Sequence, residues 1–209
     1  QCSQIVKLQH PDLHLIYPVI KKEKETISTD YLSEWRDIFL KNKYLTLNDW
    51  VSSLGADNKQ ANIFVAEANN IVKELSTKPY ESDYRVMIVW QPEKMREDAA
   101  NKLLKIIEEP YEKTHFFFVS NDPEHIIGTI LSRVQRINLP PIKDEDISEA
   151  LTTRFGCEPQ IANDYARMAH GNFIEALKLI NEDEERKFFF EKFCAMMRLS
   201  YARRLFDMK

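Results

Sequence analysis

A chain of 209 residues, 44% hydrophobic and 30% charged, can bury a sizeable core and suits one larger domain followed by a smaller one. Its formal net charge of −4 argues against autonomous, salt-driven DNA binding, which shows as a basic face. No apolar stretch approaches the ~20 residues that span a bilayer, and the first residues lack a charged-then-apolar leader pattern, so a cytoplasmic protein without membrane contact is expected.

From the start, His14 to Val19 reads as a short strand, with Leu15-Ile16-Tyr17 closed by Pro18, and Lys21 to Glu25 as a charged turn. Residues 29–56 form an aromatic-rich helical section. Tyr31, Leu32, Trp35, Ile38 and Phe39 share one face, and Thr46 is a candidate N-cap ahead of Leu47, Trp50, Val51 and Leu54. The section reads as an insertion that packs its aromatics onto the domain rather than as a ligand site. Phe64, Ala68, Ile71, Val72 and Leu75 mark an amphipathic helix leading into a strand over Arg85 to Trp90.

Met95, Ala99, Ala100, Leu103, Leu104 and Ile107 then give a broad apolar stripe at helical spacing, ended by Pro110, which pushes Glu109 away from helical angles. Val86 to Trp90 and Phe116 to Val119 are apolar without alternation, as suits strands covered on both faces. Strands alternating with helices predict an α/β fold built on a parallel sheet.

Thr129-Ile130-Leu131-Ser132-Arg133 reads as a short helix presenting an arginine, Val134 to Leu139 as a strand, and Pro140-Pro141 as a linker that divides the chain into 1–140 and 141–209. The second part is all helical. Asp144 is a candidate N-cap for a helix carrying Ile147, Ala150, Leu151 and Phe155, and Gly156 and Pro159 mark the next junction. Ile161, Tyr165, Met168 and Ala169 build a second helix stopped by Gly171, and Phe173, Leu177 and Ile180 a third. Phe188-Phe189-Phe190, Phe193, Met196, Met197 and Leu199 are apolar enough to want a partner surface, whereas Arg198, Arg203 and Arg204 read as a solvated face. His10, His14, His115, His125 and His170 lack metal-ligand spacing, and Cys2, Cys157 and Cys194 are too few and too scattered for a disulfide framework. None of the 4 glycines falls in a Gly-x-x-x-x-Gly-Lys-Ser/Thr loop. The start at Gln1 and the end at Lys209, within a helical pattern, lead to the expectation of further chain on both sides.

The run Ala99-Ala100-Asn101-Lys102-Leu103-Leu104-Lys105-Ile106-Ile107-Glu108-Glu109-Pro110, then Phe116 to Asn121, then Ser132-Arg133, resembles the AAA+ clamp-loader family, whose subunits open sliding clamps for DNA polymerase. The resemblance implies a partial AAA+ core, with the helical section 29–56 inserted, followed by a small helical lid. It also implies that Ser132-Arg133 is the arginine-finger motif. On its own, Arg133 would be read as a cation capping the turn Thr129 to Ser132 through the helix dipole; in register with the helix and strand before it, it is read as the finger. In this family a phosphate-binding loop and a four-cysteine zinc module precede the segment His10-Pro11-Asp12-Leu13. Cys2 stands where the last of those cysteines falls, and one thiolate cannot hold a structural zinc. No cofactor is therefore expected for the chain as given, with zinc possible in a longer form.

Two departures from the family pattern bear on chemistry. Where relatives carry Asp-Glu-Ala-Glu-Lys-Met, this chain has Trp90, Gln91 and Pro92 before Glu93-Lys94-Met95, a degenerate Walker B segment. An indole cannot coordinate Mg²⁺, and an amide cannot act as a base. Where the lid of active relatives carries a phosphate-contacting arginine, Gly171-Asn172-Phe173-Ile174-Glu175-Ala176-Leu177 places Ile174, a degenerate sensor 2. Ser120-Asn121, at the strand end where relatives sense a γ-phosphate, is assigned no sensing role and is read as satisfying backbone groups.

These losses with an intact Ser132-Arg133 resemble the delta-prime branch of the bacterial DNA polymerase III clamp loaders. That branch is a stator, donating its arginine in trans without hydrolysing ATP itself. The resemblance implies gamma/tau and delta subunits as partners, and the sliding clamp and primer-template DNA through the assembled complex. The alternative is a piece of the gamma/tau motor or of another AAA+ ATPase, which Trp90, Gln91 and Ile174 oppose.

Overall fold

The computed structural model describes residues 2–21, 25–56 and 59–201, with the backbone alone described for residues 2, 182–187 and 199–201. The chain divides into two units, Gln1–Ile137 and Asn138–Lys209.

The first unit opens with a short helix, α1 (Cys2–Val6), and a strand, β1 (Leu13–Ile16). Pro18 interrupts the run before a two-residue strand, β2 (Val19–Ile20), so the expected strand is split where the ring removes a backbone donor. The charged turn expected over Lys21 to Glu25 falls mainly outside the described residues. A 3-10 turn (Ser28–Tyr31) leads into α2 (Leu32–Lys41) and α3 (Leu47–Ser53). Thr46 caps α3: its Oγ1 accepts from the Asp49 N–H at 3.1 Å while Asp49 accepts from the Thr46 N–H at 2.9 Å. β3 (Ala61–Asn62) pairs antiparallel with β2, and α4 (Val65–Leu75) buries Ala68, Ile71 and Leu75.

β4 (Arg85–Trp90), α5 (Glu97–Glu108) and β5 (Thr114–Val119) then form a strand-helix-strand unit. The sheet order is β1-β4-β5, all parallel, with Ile16 opposite Val89, Arg85 opposite Thr114 and Trp90 opposite Val119. Ala99, Ala100, Leu103 and Ile107 of α5 close over Met87 and Val89 in the main core. Glu109 leaves the helix at φ −125°, as Pro110 requires. Met95 is buried with that core but lies ahead of α5, in extended backbone bridged to Ile63, because the 3-10 turn Pro92–Lys94 delays the helix start.

Two buried polar side chains tie the strand entrances. Asp12 accepts from the N–H groups of Tyr80, Glu81 and Ser82 at 2.7, 2.9 and 2.9 Å. Burial opposes its charge, but these three donors prevail and hold its pKa below the ordinary carboxylate value. Arg85, 2% exposed, donates from Nη1 to the Glu74 carbonyl at 2.8 Å and so caps the end of α4.

β5 differs from expectation. His115, Phe117 and Val119 are exposed and alternate with half-buried Phe116 and Phe118, because β5 is an edge of the described sheet and one face is uncovered. α6 (Gly128–Leu131) is followed by no strand: Val134 to Leu139 has no ladder partner among the described residues, Leu139 is 86% exposed, and the residue before Pro140 favours open extended backbone.

The second unit is helical: α7 (Asp144–Phe155), α8 (Pro159–Met168) and α9 (Phe173–Tyr201). Asp144 is the first residue of α7 rather than its cap; Lys143 takes the cap position without a side-chain bond. Gly156 ends α7 at φ +68° and Pro159 opens α8. The buried face of α8 runs through Ala162, Ala166 and Ala169 with Met168 outside, since small residues let α7 and α8 approach closely. α9 does not stop near Ile180 but continues, leaving Phe188, Phe189, Phe190, Phe193, Met196 and Met197 about half exposed or more.

Gly171 sits at φ +81°, and a Cβ there would overlap Pro141 Cβ and crowd the Ile142 carbonyl, while the Ile142 N–H donates to the Gly171 carbonyl at 3.1 Å. Gly171→Ala should therefore destabilise the helical unit by at least ~1–2 kcal/mol, the left-handed backbone cost alone. Urea melts followed by circular dichroism would check this, and an unchanged midpoint would contradict it.

Candidate functional site

Parallel strands put their carboxyl ends on one side of a sheet, and open α/β sheets take ligands there. In this chain that end is closed by aromatic rings. Tyr17 follows the last residue of β1 and Trp90 is the last residue of β4. Trp35 of α2 stacks on Tyr17 with centroids 4.0 Å apart, meets Trp50 edge-on at 5.0 Å and lies 5.0 Å from Trp90. Trp50, fully buried, donates from Nε1 to the Pro18 carbonyl at 2.8 Å, and Tyr17 donates from its hydroxyl to the Ser28 carbonyl at 2.6 Å. The aromatic helical section is thus packed onto the domain, as its apolar spacing predicts, and it lies over the end of the sheet.

Its entry is fastened by Glu67 of α4, whose two carboxylate oxygens accept from the N–H and Oγ of Ser28. Burial raises the Glu67 pKa to about 6 against these two bonds, which favour the charged form.

Gln91 follows in left-handed backbone at φ 56°, buried, with its N–H donating to the Val119 carbonyl at 2.9 Å. Glu93 accepts from Ser120 Oγ at 2.8 Å, and the same Oγ accepts from the Asp122 N–H at 3.0 Å. Ser120 therefore joins the β5 exit to the turn after β4, matching the backbone role expected for it and adding a side-chain partner. An indole, an amide and one carboxylate already hydrogen-bonded do not make the oxygen-rich site that Mg²⁺ needs. Among the described residues no three His, Cys, Asp or Glu side chains group as metal ligands. Cys2 begins α1, but its side chain lies outside the description, so its relation to zinc is not addressed by the geometry.

The histidines are held individually. His10 accepts from the Asp12 N–H at 3.1 Å, His115 stacks on Tyr84 and His125 pairs with Asp122 at 2.6 Å. His14 has its pKa lowered by burial. In the helical unit, Ile174 is half-buried near the start of α9, and its N–H donates to Asn172 Oδ1 at 3.1 Å. Its alkyl chain offers no charge to a phosphate.

Ser132 is the C-cap of α6 and Arg133 follows it. The Arg133 Nε donates to Glu108 Oε2 at 3.1 Å; Nη1 donates to the Thr129 carbonyl at 3.0 Å and reaches Ser132 Oγ at 3.3 Å. The bond to the Thr129 carbonyl is the turn-capping contact expected of Arg133 on its own, and its side chain is 31% exposed. α5 runs back from the Trp90 end for 12 residues, about 18 Å. Glu108, at its close, lies where the strands begin. The structure therefore brings Ser132, Arg133 and Glu108 together and sets them at the opposite end of the sheet from Trp90 and Gln91. Asp12, Glu67 and Glu108 were not singled out by sequence reasoning. Only Glu108 carried a signal, as a carboxylate at the negative end of a helix dipole.

The family described as "DNA polymerase III, delta subunit" matches residues 1–143, and the chain belongs to it. Relatives include DNA polymerase III subunit delta' of Bacillus subtilis (strain 168), 27% identical over 183 residues, covering 88% of this chain and 43% of that protein. Subunit delta' of Haemophilus influenzae is 30% identical over 138 residues, covering 65% of this chain and 42% of that protein. Subunit tau of Escherichia coli (strain K12) is 26% identical over 123 residues, covering 56% and 19%. The chain thus spans less than half the length of each of these relatives. No helix among the described residues is long and apolar enough to cross a membrane.

Glu67 sets a pH dependence. Its folded pKa of about 6 lies above the ordinary 4.5, so the native state binds the extra proton. Its contribution is fully present below pH 4.5 and is lost as pH rises through 6, a change of up to about 2 kcal/mol. Glu67→Gln should remove this fall of the urea midpoint between pH 5 and 7, leaving the opposite dependence set by His14, whose pKa burial lowers. Asp12, with its lowered pKa, acts in the opposite sense and only below that window, as pH falls through its folded value. An unaltered slope in the variant would contradict the assignment.

Proposed function

We propose that this chain is the non-hydrolysing delta-prime subunit of a DNA polymerase III clamp loader, donating Arg133 in trans to a neighbouring ATPase subunit as the sliding clamp is loaded for DNA replication. Its partners in this reading are gamma/tau and delta, with clamp and primer-template DNA reached through the assembly, in the cytoplasm. The chain as given takes no cofactor, and a zinc module belongs to a longer form.

One observation carries the reading: the guanidinium and the degenerate acidic segment lie at opposite ends of one parallel sheet. An arginine so placed faces away from any nucleotide its own sheet would hold, and serves a triphosphate only across a subunit boundary. Loss of hydrolysis is supported by Trp90 in the aromatic cap and by Gln91 in the position of a base. Arg133 would act electrostatically. A planar guanidinium set against the γ-phosphoryl group stabilises the charge that develops during transfer, an effect of about 10³–10⁵ in rate for arginine fingers.

The similarity to tau keeps a motor subunit as the competing reading. Magnesium-dependent ATP turnover by the full-length protein alone separates the two: none is expected here, and turnover would favour the motor. In a loader reconstituted with gamma/tau and delta, Arg133→Ala should remove one site's phase from clamp-stimulated, single-turnover ATP hydrolysis. An unchanged amplitude and rate would overturn the arginine assignment.

A further inference from the structure

The three nitrogens of the Arg133 guanidinium are unequally engaged. Nε is held by Glu108 Oε2 at 3.1 Å and Nη1 by the Thr129 carbonyl at 3.0 Å and Ser132 Oγ at 3.3 Å, whereas Nη2 has no hydrogen bond among the described residues. Glu108 and Glu109 stand at the last turn of α5, where the helix dipole disfavours carboxylates. A local rule broken in this way is expected where a side chain has another task, and Arg133 joins Lys105 of the same turn as a cation that offsets it.

We propose that Glu108 is the positioning residue of Arg133: it holds the guanidinium at Nε and leaves Nη2 unpaired, available to an anionic oxygen of a neighbouring subunit's nucleotide. The proposal rests on the arginine-finger reading above. A carboxylate that parked the arginine would take two nitrogens at once, Nε with Nη2 or both Nη, in the bidentate fork that Arg and carboxylate form. Glu108 instead takes only Nε, the nitrogen nearest the main chain. A free arginine side chain must be immobilised at the moment of contact, and one already fixed at Nε and Nη1 has most of that ordering done beforehand. The pair is open to solvent, with Glu108 59% exposed, so it adds little to fold stability and its removal leaves the chain folded.

The test uses the full-length protein in a loader reconstituted with gamma/tau and delta. Glu108→Ala should slow the arginine-dependent phase of single-turnover ATP hydrolysis by on the order of ten- to a hundredfold, the scale of a misplaced catalytic group. The thermal midpoint and the ATP concentration at half-saturation should stay unchanged. Glu108→Gln, which keeps an acceptor for Nε–H, should fall between Glu108→Ala and the parent. In an Arg133→Ala background, Glu108→Ala should cost nothing further. If Arg133→Ala removes the phase while Glu108→Ala leaves it intact, the positioning role is overturned and the arginine finger stands. Loss of rate that persists in the Arg133→Ala background would make Glu108 merely structural, and faster hydrolysis in Glu108→Ala would make it a restraint; either outcome overturns the proposal. If Arg133→Ala itself has no effect, the finger reading and this inference fall together.

Discussion

The parallel register of β1, β4 and β5 is the constraint on which the rest of the first unit depends. Parallel pairing forces each connection to return along the sheet before the next strand begins. α5 makes that return beside β4 and β5, and its buried alanines and leucine let it lie flat on Met87 and Val89. Once this is fixed, the position of every chemically interesting group follows from its place in the chain. Residues just after a strand gather at one end, and residues just after α5 gather at the other. Trp90 and Gln91 belong to the first group, Glu108 to the second, and α6 brings Arg133 to Glu108.

The two ends are finished differently. At the carboxyl end, Tyr17, Trp35, Trp50 and Trp90 fill the space, and the Trp50 N–H and Tyr17 hydroxyl are satisfied by the carbonyls of Pro18 and Ser28. Burying two indoles and a phenol stabilises the domain by several kcal/mol in transfer terms. An acidic residue in place of Trp90 would bring a charge next to that apolar cluster. Trp90 suits the cap, since a side chain suited to Mg²⁺ is poorly suited to packing on Trp35. The other end keeps its charges, partly exposed and paired.

Much of this was legible in the residues. The α5 stripe from Ala99 to Ile107, the Pro110 stop, the Thr46 cap and the aromatic face of Tyr31, Trp35 and Trp50 are local patterns, and local patterns survive folding. What failed was whatever depends on a neighbour. Val134 to Leu139 has the composition of a strand but nothing beside it to pair with. Phe116 to Val119 reads as doubly covered because an apolar run does not say which face has a partner. In α8, Ile161, Tyr165 and Met168 outweighed the alanines in apolar character, yet close approach to α7 selects Ala162 and Ala166 for the interface. Arg133 stands out in the sequence but its hydrogen-bond partner does not, because Glu108 and Arg133 are 25 positions apart and meet only through the sheet's connectivity.

The buried carboxylates show why the cap is fixed rather than loosely laid over the sheet. Glu67 spends both oxygens on Ser28 at the point where the chain enters the aromatic section, and Tyr17 binds the carbonyl of the same serine. Ser28 is thus gripped from α4 on one side and from the end of β1 on the other. Removing either hold would leave a buried polar group without its partner, which is costlier than the net value of the bond itself. The section is therefore anchored at its root by hydrogen bonds and at its far side by Trp50 on Pro18. Between these points Trp35 is held against Trp90, which it partly covers.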